Sequence, residues 1–97
     1  MSSHIEVDQK TLDIYQLVWD YRIELIKWNL FQKMMVGAGF AVFGSGGSAV
    51  SFKRGKQTAV IHKPHEPKGN QIYTRFLRDQ LRKHLDWDAD TFVLEDE

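Results

Sequence analysis

The sequence predicts an α+β fold in which a three-stranded antiparallel meander is flanked on both sides by helices. Three observations carry this reading. Leu12, Tyr15, Trp19 and Ile23 recur at three- and four-residue intervals, as do Ile72, Phe76, Leu77, Leu81 and Leu85, the period of an amphipathic helix. Between these segments, Val50 and Phe52 alternate with Ala49, Ser51 and Lys53, the period of a half-buried strand. Thr58-Ala-Val-Ile61 is rich in β-branched residues and follows a glycine-containing hairpin loop, Lys53-Arg-Gly-Lys56.

Taken in order, Met1 to Val7 reads as a flexible lead, so the ordered core is expected over about 8–94 of a single domain spanning 1–97. Asp8 is placed to cap the first helix. The stretch Glu24–Lys27 fits either a break between two helices or one long helix. Asn29 is the candidate cap of a second helix carrying Leu30, Phe31, Met34 and Met35, ended by Gly37 and Gly39. Phe40-Ala-Val-Phe43 supplies a first strand, and Gly46, Gly47 and Ser48 a turn into the second. Lys63-Pro-His-Glu-Pro-Lys-Gly-Asn70 is a loop whose Asn70 can cap the last helix. Asp86 or Asp88 can cap a closing turn with Trp87, Phe92 and Val93, and Leu94 to Glu97 are expected to fray.

The chain has no cysteine, which excludes disulfides and thiolate metal sites. No apolar run reaches the length of a membrane helix and the start is not a signal peptide, so a soluble intracellular protein is expected, cytoplasmic or nuclear. The net charge is zero, but residues 53–83 hold nine Lys/Arg against two Asp/Glu, whereas residues 84–97 hold none against six. That asymmetry suggests a basic face for an anionic partner. The candidate contacts are Lys53, Arg54 and Lys56 on the hairpin, Lys63 and Lys68 in the loop, and Arg75, Arg78 and Arg82 on one face of the last helix. An ordinary solvated face, with Asp79 bridging its neighbours, is the plainer alternative.

Ile26-Lys-Trp-Asn-Leu-Phe-Gln-Lys-Met-Met-Val-Gly-Ala-Gly-Phe40, Gly47-Ser-Ala-Val-Ser-Phe52, Ala59-Val-Ile-His-Lys-Pro-His65 and Tyr73-Thr-Arg-Phe-Leu-Arg-Asp-Gln-Leu together resemble the HicA family of small toxin ribonucleases. Lys27-Trp28, Gly47-Ser48-Ala49, His62-Lys-Pro-His65 and Trp87-Asp-Ala-Asp-Thr-Phe92-Val93 are similar to a eukaryotic, mainly fungal branch of that family. The resemblance implies a fold like the double-stranded-RNA-binding domain, an activity against mRNA and, by analogy, a HicB-like antitoxin partner. It also implies a catalytic histidine after the Gly-Ser pair, where this chain has Ala49. Alanine carries no proton to transfer, so either the branch has kept the fold without the chemistry or the histidine was removed deliberately.

Three functions follow as expectations: an RNA-binding domain that does not cleave, an endoribonuclease silenced at Ala49 or using His65, and a protein-interaction or self-association module. His65 matches a histidine near the end of the family's third strand, and His62 lies three residues before it. Either imidazole can contact a phosphate or move a proton near neutral pH, although hydrogen-bonding a proline-shaped loop is the simpler role. His-x-x-His has no evident third metal ligand, so no metal and no cofactor is assigned. The glycines after Phe43 can present amides to a phosphate, but they lead into a strand and read more simply as a turn.

Overall fold

The fold was obtained as a computed structural model, which describes residues 4–44 and 48–95. Its elements run β1 (Ile5–Val7), α1 (Gln9–Val18), β2 (Leu25–Lys27), α2 (Trp28–Gly37), β3 (Ala41–Gly44), β4 (Ala49–Arg54), β5 (Gln57–His62), β6 (Gln71–Tyr73), α3 (Thr74–Leu85) and β7 (Phe92–Leu94). The α+β class and the antiparallel β3-β4-β5 sheet packed on helices are as the sequence predicts. Gly55 sits at a φ of +57° in the β4–β5 turn, a left-handed conformation that glycine adopts without penalty. This turn fixes Arg54 opposite Gln57 and therefore Ala49 opposite His62.

Alternation along the strands gives the sheet two different faces. Phe52, Ala59 and Ile61 are buried toward the helices, joined by the half-buried Val42 and Val50. There Phe52 meets the rings of Phe31 and Trp28 of α2 edge-on, at centroid distances of 5.5 and 6.4 Å. Leu77 and Leu81 of α3 are fully buried in the same core. A second aromatic group forms where α1 meets the end of the chain: Tyr15 stacks on Phe92 at 3.8 Å, and Trp87 packs edge-on against Tyr15, Phe40 and Phe92.

Several local expectations are corrected. Glu24–Lys27 is a break, and part of it is a strand, β2, that pairs antiparallel with β6. Asn29 lies inside α2, whose cap position is Lys27, and Asn70 precedes β6, so neither caps a helix. Both helices instead start directly from the β2–β6 pair. The Trp28 amide donates to the Asn70 carbonyl (3.1 Å) and the Thr74 amide to the Glu24 carbonyl (2.9 Å). The ordered core begins before residue 8: Ile5–Val7 pairs in parallel with Phe92–Leu94, and Val7 is buried. Leu94 belongs to that pair rather than fraying. Asp8 does cap α1, its carboxylate accepting from the Thr11 amide at 2.9 Å.

Candidate nucleic-acid interface

The outer face of the sheet carries Ala41 and Phe43 from β3, Ala49, Ser51 and Lys53 from β4, and Thr58, Val60 and His62 from β5. In this register Phe43, Ser51 and Val60 form one row across the three strands. Phe43 is 52% exposed, an unusual place for a phenyl ring. The Lys53 ammonium stands over it, 5.6 Å from the ring centre. Ala49 and His62 form the row at the opposite end, next to the glycine-rich connection. The position that the resemblance gives to a catalytic histidine thus has an exposed imidazole as its cross-strand neighbour.

The remaining basic residues divide into two groups. Arg54 packs over Phe40 with its guanidinium carbon 6.0 Å from the ring centre, and Lys56 is exposed in the hairpin turn. Lys63 continues from β5, its amide bonded to the Ser48 carbonyl and its ammonium donating to the Gly69 carbonyl at 3.0 Å. His65 and Lys68 are exposed in the same loop. Gly46 and Gly47, expected to shape the turn, lie outside the described residues, whereas Ser48 is within them.

The α3 arginines behave differently. Arg75 is exposed, but Arg78 is only 6% exposed and Arg82 lies across the Trp19 ring at 4.9 Å. Arg78 Nη1 donates to the Val18 carbonyl (2.8 Å) and to Thr74 Oγ1 (3.1 Å), and its guanidinium covers one face of Tyr21 at 4.3 Å. The arginine stripe does share a face of α3, yet much of that face meets the Trp19–Tyr21 linker. Periodicity shows which residues share a helix face, not what the face touches.

No protein-family model, curated protein or solved structure matches this chain. Among the described residues, no three His, Asp or Glu side chains gather as a metal site, and no helix is long and apolar enough to cross a membrane.

One feature escaped the sequence reading although the sequence contains it. Residues 25–65, which build β2, α2 and the whole three-stranded sheet, contain six Lys/Arg and no Asp or Glu. The boundary at residue 53, where the dense run of Lys/Arg begins, falls inside this stretch. The sheet therefore has no carboxylate of its own with which its lysines could pair.

Proposed function

We propose that this chain binds RNA through the outer face and hairpin of its sheet, and that it does so without cleaving. The observation that carries the reading is the carboxylate-free stretch 25–65 together with an exposed Phe43 under Lys53. A phosphate backbone is attracted by Lys53, Arg54, Lys56, Lys63 and Lys68, while an exposed ring offers a stacking surface to an unpaired base. The resemblance to HicA toxins supports an RNA partner, and alanine at position 49 supports binding without hydrolysis.

The test is a titration with a short RNA duplex and a single strand at low and moderate salt, with the incubated RNA inspected on a gel. Binding is expected to weaken about tenfold or more as salt rises through the physiological range. Replacing Lys53 and Lys56 by Gln should reduce the salt slope by about two, roughly one per lost phosphate contact. Binding that ignores salt, or that is untouched in the double variant, would sink the reading. In the Ala49→His chain, two imidazoles would face each other across β4 and β5. RNA cleavage by that variant would support the ribonuclease ancestry, and intact RNA would count against a recently lost activity.

A further inference from the structure

Away from the sheet, the linker between α1 and β2 and the start of α3 enclose a cleft of about 300 Å³ lined by Tyr21, Glu24, Tyr73, Arg75 and Arg78. Arg78 is a buried cation whose hydrogen bonds go to neutral oxygens, both through Nη1. Among the described residues, no carboxylate lies within 4.0 Å of it or of Arg75. Val18 is the last residue of α1, so its carbonyl contributes at most the roughly half negative charge of a helix C-terminus. Half a charge does not balance a buried guanidinium, and buried charges are ordinarily paired. Nε and Nη2 make no hydrogen bond among the described residues, which leaves one edge of the planar fork for an acceptor.

The rest of the cleft narrows what that acceptor is. Tyr21 is 71% exposed and Tyr73 45%, so two aromatic rings stand open to solvent at its walls. Arg78 covers one face of Tyr21 and Arg82 Nη2 donates to the Tyr21 hydroxyl at 3.2 Å, while the exposure of the ring leaves surface on which a planar group can stack. Glu24 supplies a single carboxylate against the two guanidiniums. It opposes a bare anion but can accept from a hydroxyl of a ligand that also carries an anion.

We infer that this cleft binds a nucleoside phosphate: phosphoryl oxygens on Arg75 and Arg78, a planar base against Tyr21 and Tyr73, and a sugar hydroxyl toward Glu24. The ligand is either a free nucleotide or the 5′-phosphorylated end of a strand, which share this chemistry. The inference does not depend on the RNA reading of the sheet. It is tested by following backbone amides by NMR while adding adenosine 5′-monophosphate, and separately inorganic phosphate, to the intact chain. The nucleotide should shift Tyr21, Glu24, Thr74 and Arg75 and bind several-fold tighter than phosphate.

Arg75→Gln should weaken that binding about tenfold, the loss of one charge-assisted contact. Tyr21→Ala should weaken it several-fold, and Lys10→Gln, at an exposed position of α1, should leave it unchanged. No shifts at the cleft, equal affinity for phosphate, or binding indifferent to Arg75→Gln would overturn the proposal. A 5′-phosphorylated oligonucleotide that shifts these amides while its dephosphorylated form does not assigns the strand end, and binding of the mononucleotide alone assigns the free nucleotide. Failure of RNA binding at the sheet with the nucleotide still bound removes only the first reading.

Discussion

Arg78 holds three pieces together: the carboxyl end of α1, the ring of Tyr21 and the first turn of α3. Its hydrogen bonds come from a charged donor in a buried setting, where each counts for more than a neutral surface bond. Arg78→Ala should therefore destabilise the chain by about 2–3 kcal/mol, read as a shift in the midpoint of urea unfolding. Arg75→Ala, on the same helix face but exposed, should stay within about 0.5 kcal/mol. Equal effects would mean that Arg78 is no more a structural residue than Arg75. From the sequence, the two arginines are indistinguishable members of one stripe. An arginine has a long apolar stem and a charged head, so it fits a packed contact as well as a solvated face. What decides between them is Tyr21 and Val18, about sixty residues earlier in the chain, and no local pattern marks that pairing.

At the scale of elements, helix starts were legible only where the cap is local. Asp8 sits three residues before the amide it accepts from, and the sequence shows this directly. The starts of α2 and α3 are set instead by β2 pairing with β6, so Lys27 and Tyr73 precede the helices without any side-chain cap, while Asn29 and Asn70 only look the part. Hydrogen bonds from Thr11, side chain first and then amide, hold Asp8 below its ordinary carboxyl value of 3.8, and the Arg22 hydrogen bonds lower Asp20 to about 2. Folded values below the unfolded ones stabilise fully above about pH 4 and lose that contribution as pH falls through them. Asp8→Asn keeps an acceptor for the Thr11 amide but removes the titration. Its Tm should match the parent near neutrality and fall less in acid, whereas Asp8→Ala should melt lower already at neutral pH. An unchanged acid limb in Asp8→Asn would assign the acid sensitivity elsewhere. The crossing of α1 and α2 has its own requirement, at Gly37. A Cβ there would overlap Thr11, whose Cβ and Cγ2 would stand 3.0 Å away. Gly37→Ala should cost about 1–3 kcal/mol, and adding Thr11→Ala should recover part of it. A Gly37→Ala chain that melts like the parent would show that the two helices can part at no cost.

At the scale of the whole molecule, the meander was readable because its strands are neighbours in sequence, with a turn glycine and alternating side chains to fix the register. The β1–β7 pair was not readable. Each strand has three residues, no turn joins them, and the partners Ile5 and Phe92 lie at opposite ends of the chain. What selects the pairing is the apolar group beneath it: Ile5 and Val7 close over a cluster that includes Tyr15, Trp87 and Phe92. The amide of Glu95 also donates to the Val7 carbonyl at 2.9 Å, extending the pair past the strand. A reading that begins the core at residue 8 predicts that removing residues 1–7 is harmless. The structure predicts the opposite. Two buried aliphatic side chains contribute about 1.5–3 kcal/mol each, a large part of the roughly 5–15 kcal/mol that holds a domain folded. Removing residues 1–7 should therefore lower Tm sharply and increase hydrogen exchange at Phe92–Leu94. Val7→Asp, which leaves the chain at full length but places a carboxylate in the buried position, should do the same. A truncated chain that melts with the parent and keeps Phe92–Leu94 protected would restore the shorter core and leave β1 an attachment of no energetic weight.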